Sequence, residues 1–118
     1  MYKQELHITE SNDKGFVTVD KFQSWRVAII NYSEALLEEN RTSMQRHLKS
    51  DEVFVPIMGE SALLIGEERK KYNLEIGKVY NVKLGTWHVV TMKEGAKLLV
   101  IENDDTDESN SEVKEFCL

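Results

Sequence analysis

The sequence predicts an all-β domain, either a sandwich or a closed barrel, on three observations. Seven or eight short segments rich in β-branched and aromatic residues follow one another along the chain. Turn-forming residues separate these segments, and no segment shows the longer period of an amphipathic helix. The 118 residues, 41% hydrophobic and 31% charged, are typical of one globular domain that folds without a disulfide or a structural metal.

The first half of the chain supplies three predicted strands. Alternation over residues 16–32 predicts a long extended segment, and residues 34–40 have room for only one or two helical turns. Residues 44–48 and Glu52–Met58 predict the next two strands. Pro56 lies within the second of these, so an edge strand or a bulge is expected there.

The second half continues the same pattern. Strands are predicted over Ser61–Ile65 and over residues 78–84, 87–92 and 97–101, with glycine-containing turns between them. The charged residues 66–71 predict a loop or a hairpin. The fold therefore rests on non-local pairing of short strands rather than on helices.

Charge is concentrated at the end of the chain. Residues 102–118 hold seven acidic side chains and one lysine, so they account for the whole formal net charge of −6. Because residues 104–112 offer almost nothing apolar to bury, residues 1–103 are predicted to form the single domain and residues 104–118 an acidic, mobile tail. The neutral body shows no basic face, which argues against nucleic acid and acidic membranes as partners.

The chain has one cysteine, Cys117, and no apolar run of membrane-spanning length. A single cysteine allows no internal disulfide, so we expect a cytoplasmic protein. Because small β barrels often pair their exposed edge strands, we also expect a homodimer.

Two histidines and one glutamate are the candidate metal ligands. His47 precedes Glu52 by five residues, and His88 lies in a later predicted strand. Two imidazoles and one carboxylate can occupy one face of an octahedral ion. Gln45 shares a strand face with His47, and is either a fourth ligand or a polar group beside the ligands. By itself, the spacing of His47, Glu52 and His88 favours a solvated surface pair and an ordinary core histidine over a shared metal site.

The segment around His47 resembles the first motif of the cupin superfamily. That motif reads Gly, five residues, His-x-His, three or four residues, Glu, six residues, Gly. His47, Glu52 and Gly59 fit at this spacing, whereas Glu39 and Gln45 replace the leading glycine and the first histidine.

The segment around His88 resembles the second cupin motif, which reads Gly, five residues, Pro-x-Gly-x-x-His, three residues, Asn. Gly77, Gly85 and His88 fit, whereas Lys83 and Met92 replace the proline and the asparagine. The match to both motifs reverses the interpretation from spacing and favours a shared site. The resemblance implies a cupin-type double-stranded β-helix, a jelly-roll barrel with short or no helices.

Within the superfamily, the chain looks like the ureidoglycolate lyases. The likeness covers residues 44–103, and the phrases that carry it are HLKSDEVFVPIMG, GTWH and LLVIEN. The resemblance implies an enzyme that releases glyoxylate and urea from ureidoglycolate, a small hydroxy acid. Glu52 and His88 would be catalytic, and one divalent ion of zinc, manganese, iron or nickel would be held by His47, Glu52, His88 and Gln45.

The changed motif positions leave two other functions open. One is a cupin that binds a small ligand without catalysis. The other is a metal-free sugar isomerase or epimerase that uses a histidine and a tyrosine as acid and base, for which Tyr80 is the candidate tyrosine.

Four further residues are candidates for the substrate pocket: Arg26, Phe54, Met58 and Tyr80. Arg26 shares a strand face with apolar residues, which predicts a partly buried guanidinium that needs an anionic partner. Phe54 and Met58 share the parity of Glu52, so they either line the pocket or pack in the core. Trp87 is adjacent to His88 on a strand and should therefore face the opposite side.

Overall fold

The computed structural model describes residues 5–116 and is built from ten antiparallel strands. The strands are β1 Gly15–Phe22, β2 Trp25–Asn31, β3 Ser43–His47, β4 Glu52–Met58, β5 Ser61–Ile65, β6 Lys70–Asn73, β7 Tyr80–Val82, β8 His88–Met92, β9 Lys97–Asn103 and β10 Ser111–Glu115. The helical content of these residues is limited to three single 3₁₀ turns, Glu34–Leu36, Glu38–Asn40 and Glu108–Asn110. Within residues 5–116, no helix is both long enough and apolar enough to cross a bilayer.

Two five-stranded sheets make up the fold. One has the strand order β1-β2-β9-β4-β7 and the other the order β10-β3-β8-β5-β6. Strands that are far apart in the sequence are therefore neighbours, as in a jelly roll. The predicted all-β class is confirmed, and the long segment 16–32 proves to be two strands joined by a tight turn at Gln23.

The core lies between the two sheets. Alternate residues of β2, β4 and β9 face it, which is why the alternation was visible in the sequence. Its buried apolar members are Ala28, Ile30, Phe54, Leu63, Leu74, Val82, Met92, Ala96, Leu98 and Val100. A smaller cluster of Met44, Leu64 and Val89 packs with Trp87 and Phe116.

The C-terminal segment is part of the fold, so the prediction of a mobile tail is wrong for residues 104–116. β10 pairs with β3 along its full length, and Asp107 caps the 3₁₀ turn that precedes it. The open edge of β3 supplies backbone partners that the composition of the segment could not reveal. Cys117 and Leu118 lie outside the described residues.

Pro56 marks a β-bulge in β4. The register with β9 shifts between Pro56 and Met58, so one of the two structures predicted for this proline is confirmed. Beyond the bulge the alternation of side chains is reversed, and Met58 is 52% exposed.

Gly59 follows the bulge and has no room for a side chain. Its φ is +74°, and a Cβ atom there would lie 2.6 Å from the Cα atom of Ala96. We expect Gly59→Ala to lower the free energy of unfolding by about 3 kcal/mol, because left-handed strain and overpacking add. Gly66, with φ +78° and open space, is the matched control, and Gly66→Ala should cost about 1 kcal/mol. Equal losses in urea denaturation would contradict this prediction.

Candidate metal centre

Three strands bring the predicted ligands together. His47 ends β3, Glu52 begins β4 and His88 begins β8. Gln45 of β3 pairs directly with His88, and the amide of Gly85 donates a 2.8 Å hydrogen bond to the carbonyl of His47. One ligand atom from each of the three residues lies within 4.8 Å of the others, and all three side chains are buried. The structure therefore brings His47, Glu52 and His88 into one cluster.

The carboxylate of Glu52 bridges the two imidazoles. Its Oε1 lies 3.1 Å from Nε2 of His47 and 2.9 Å from Nε2 of His88. On the far side of each ring, Nδ1 of His47 is 2.8 Å from Oγ of Ser111, and Nδ1 of His88 is 2.9 Å from the carbonyl oxygen of Thr86. Both rings are therefore fixed at both nitrogens.

The carbonyl of Thr86 determines what can lie between His88 and Glu52. A carbonyl only accepts, so Nδ1 of His88 carries a hydrogen. Nε2 of a neutral His88 would then direct a lone pair at the Oε1 atom of Glu52, and two acceptors 2.9 Å apart repel each other. Either a proton on Nε2 or a cation bound by both atoms resolves this conflict.

The electrostatics of the cluster favour an ionised glutamate. Burial by itself raises the pKa of Glu52, but hydrogen bonds from His47 and His88 outweigh burial and hold the pKa at about 2. The hydrogen bond to Glu52 in turn raises the pKa of His47, although burial opposes this. The site therefore concentrates negative charge on Glu52 and attracts a cation or a proton.

The donor set fits a divalent ion. Two donor atoms bound at right angles about 2.1 Å from one ion lie about 3.0 Å apart, which agrees with the 3.1 and 2.9 Å separations around Oε1 of Glu52. The outer hydrogen bonds to Ser111 and Thr86 orient the rings as those of metal-binding histidines are oriented. His47, Glu52 and His88 would hold the ion, and Gln45 lines the same cavity as a possible fourth donor.

The cluster lies in a cavity of about 660 Å³ between the sheets. Of the predicted site residues, those that line it are Arg26, Gln45, His47, Glu52, Phe54 and His88. Phe54 serves both predicted roles, since it is also part of the core.

Met58 and Tyr80 are not brought to this cavity. The bulge at Pro56 removes Met58 from the face that Glu52 and Phe54 share. The hydroxyl of Tyr80 accepts a 2.9 Å hydrogen bond from the amide of Glu75, and Tyr80 lines a separate cavity. Tyr80 therefore does not lie beside the histidines of the cluster, as the isomerase interpretation requires.

Trp87 and Lys83, the latter at the proline position of the second motif, do not line this cavity. Trp87 packs with Met44 and Val89 in the smaller cluster, which confirms that it faces away from His88. Lys83 pairs with Asp51 at 2.6 Å.

Arg26 finds its anionic partner within the chain. Its Nη2 donates to Oε1 of Glu102 at 2.7 Å and to the carbonyl of Thr106 at 2.9 Å, while its Nε also reaches Oε1 of Glu102. Glu102 is the cross-strand neighbour of Glu52. Burial and the charge of Glu52 raise the pKa of Glu102 to about 7 despite Arg26. Arg26 is thus the partly buried guanidinium with an anionic partner that the sequence predicted, and because Glu102 already occupies it, Arg26 is not free to bind a substrate.

The cavity residues that sequence reasoning missed include Arg41, Glu102 and Ser111. Arg41 could have been found, because it has the same parity as Gln45 and His47 in an extended stretch. Ser111 lies in the segment predicted to be a mobile tail, and no local signal marks it. Glu102 lies in the predicted domain and could also have been found, because it shares the parity of the buried Leu98 and Val100.

The raised pKa values of Glu102 and His47 predict a pH dependence of stability for the metal-free protein. The folded state holds protons on both groups that the unfolded chain releases at lower pH, so their contribution is complete below about pH 4.5 and is lost through about pH 7 and above. We expect the free energy of unfolding, measured in EDTA, to fall between about pH 5 and 8. Glu102→Gln should flatten this slope, and an equally steep slope in the variant would contradict the assignment.

No protein-family model and no curated protein sequence matches this chain. Solved structures do match. A variant of Streptomyces Pac13 with uridine superposes with a TM-score of 0.69 at 10% identity, over 100% of this chain and 95% of Pac13. Pac13 is described as a nucleoside dehydratase.

Two further structures agree with this likeness. A cupin-2 domain protein from Shewanella frigidimarina matches with a TM-score of 0.62 at 18% identity, over 79% of this chain and 84% of that protein. The Fe(II) form of HppE matches with a TM-score of 0.58 at 16% identity, over 75% of this chain and 50% of HppE. At these identities the likeness concerns the fold, and the chain has the cupin fold.

Proposed function

We propose that this protein is a metal-dependent cupin enzyme that acts as a lyase on a small hydroxy or oxo acid, with ureidoglycolate as the first substrate to test. The observation that carries the proposal is the buried cluster of His47, Glu52 and His88, whose facing acceptor atoms require a cation or a proton. The likeness to the Fe(II) form of HppE and the donor set support a metal.

A bound divalent ion would act as a Lewis acid toward the substrate's oxygen atoms. A carboxylate of the chain would accept the proton of the substrate hydroxyl. Oε1 of Glu52 is committed to two imidazoles, whereas Oε2 of Glu102 is buried and has no hydrogen-bond partner within residues 5–116. Glu102 is therefore better placed than Glu52 to accept the proton of a substrate hydroxyl.

The proposed step on ureidoglycolate balances without a redox partner. Glu102 takes the hydroxyl proton, the electron pair of that O–H bond forms the carbonyl of glyoxylate, and the C–N bond breaks. The departing nitrogen takes up a proton and leaves as urea.

A second candidate, metal-free dehydration of a nucleoside-like substrate, is favoured by the match to Pac13 over the whole chain. In that case a proton on Nε2 of His88 would resolve the conflict with Glu52 without a metal ion. The cavity of about 660 Å³ is large enough for either substrate.

Metal analysis of protein purified without chelator, together with an assay of glyoxylate release, distinguishes the two candidates. The metal-dependent proposal expects about one equivalent of a transition metal, lost in His47→Ala, and glyoxylate release that EDTA abolishes. Less than about a tenth of an equivalent, unchanged in His47→Ala, would overturn it. Uridine-dependent thermal stabilisation of such metal-free protein would support the second candidate.

A further inference from the structure

The guanidinium of Arg41 lines the metal-site cavity without a partner of its own. Arg41 directly follows the 3₁₀ turn Glu38–Asn40, has extended backbone angles and lines the same cavity as His47 and His88. Its Nε is buried and makes no hydrogen bond within residues 5–116, and no carboxylate of those residues forms an ion pair with it. Arg41 as a whole is half-buried, and this burial lowers its pKa.

Arg26 has the carboxylate partner that Arg41 lacks within residues 5–116. Both arginines line the cavity, but the planar fork of Arg26 is occupied by the carboxylate of Glu102. A guanidinium presents parallel N–H donors that match a carboxylate in a two-point contact. The donors of Arg41 are therefore suited to an anion that comes from outside the chain.

The other charges in the cavity indicate which kind of anion this is. Four acidic side chains line the same space: Glu52, Glu102, Asp107 and Glu108. Glu52 and Glu102 are buried, and like charges repel strongly where water is scarce, so a doubly charged phosphate is disfavoured relative to a singly charged carboxylate.

We propose that Arg41 is the specificity-determining residue that binds the carboxylate of the substrate. This inference rests on the proposed function, because it assigns to the substrate the acid group that Arg41 recognises. Arg41 would fix the carboxylate end of a hydroxy acid while the His47, Glu52 and His88 cluster faces the reacting carbon.

The test measures binding rather than turnover. Titration calorimetry on the Mn²⁺-loaded protein would compare glycolate, its neutral analogue glycolamide and inorganic phosphate. We expect glycolate to bind most tightly, and Arg41→Gln to weaken glycolate binding about 10- to 100-fold with little effect on glycolamide. Arg41→Lys should recover part of the affinity, because it restores the charge without the fork.

Two controls separate recognition from folding. Arg46 is on β3 but contacts the ring of Trp87 and pairs with Glu112, so Arg46→Gln should leave glycolate binding unchanged. Because Nε of Arg41 makes no hydrogen bond to lose, Arg41→Gln should keep or raise the unfolding temperature of the free protein. A large drop in that temperature would indicate a structural role and overturn the inference.

The remaining outcomes are also decisive. Unchanged glycolate affinity in Arg41→Gln, equal binding of glycolamide by the wild type, tighter binding of phosphate or no binding of glycolate would each overturn the role of Arg41. Mn²⁺ binding is measured separately by titration of the ligand-free protein. Failure of Mn²⁺ to bind would count against the proposed metal function, while glycolate titration in EDTA would still test Arg41.

Discussion

Glu52→Gln is expected to abolish metal binding while leaving the fold intact. The Oε1 atom of Glu52 is the only described oxygen that contacts Nε2 of both His47 and His88. A glutamine lacks the negative charge that holds a cation, but its amide group can donate to a neutral imidazole and so preserve the cluster. We expect metal affinity to fall by more than about 100-fold, because loss of groups outside the ligand shell already costs 10–100-fold.

The measurement is metal content and Mn²⁺ affinity of the purified variant, with circular dichroism to verify the fold. Glu112→Gln is the matched control, since Glu112 is a half-exposed glutamate on β10 that pairs with Arg46. It should retain the metal content of the wild type. A full equivalent of tightly bound metal in Glu52→Gln would show that the ion is held at another site.

Arg26→Met is expected to cause one of the largest losses of stability available from a single substitution outside the metal cluster. The side chain of Glu102 is only 3% exposed, and Arg26 is its cationic partner at 2.7 Å. Removing one partner of a buried pair leaves the other charge uncompensated, which costs about 3–5 kcal/mol. Because Glu102 can take up a proton, with its pKa at about 7, we expect about 3 kcal/mol at neutral pH and a smaller loss in acid.

A double-mutant cycle checks the physical reason. Adding Glu102→Leu to Arg26→Met removes the orphaned carboxylate and should recover most of the lost stability, since buried ion pairs are often replaceable by apolar residues. Arg46→Met removes a more exposed ion pair and should cost less than about 1 kcal/mol. If urea denaturation gave equal losses of unfolding free energy for Arg26→Met and Arg46→Met, the buried pair would contribute no more to stability than the exposed pair.

The fold class and most of the candidate site followed from local features of the sequence. Strands were recognisable because successive side chains alternate between two faces, and the same parity correctly separated His88 from Trp87. Motif spacing identified His47, Glu52 and His88, because the turns that join their strands have lengths set by the fold. The cluster of His47, Glu52 and His88 was therefore predictable without coordinates, whereas Arg41 and Glu102 of the same cavity were not.

The position of Met58 and the mobility of the acidic segment were predicted wrongly, because both depend on how distant strands pair. Met58 was assigned to the pocket by counting residues from Glu52, and the bulge after Pro56 reversed that count. A bulge depends on how β4 pairs with β9, which the sequence of β4 does not specify alone. The acidic segment was likewise judged by its composition, although the free edge of β3 decides that it becomes a strand.

The sequence by itself determined the face of each side chain wherever strand alternation is uninterrupted, and its resemblance to two cupin motifs predicted the cluster of two imidazoles and one carboxylate. Only the tertiary structure decided which charges are satisfied. Arg26 meets Glu102 across 76 positions of the chain, whereas Arg41 meets no acidic side chain within residues 5–116. Side-chain direction is a property of the local backbone, but the partner of a charge depends on which distant strands pair, and that is decided by the packing of the whole barrel.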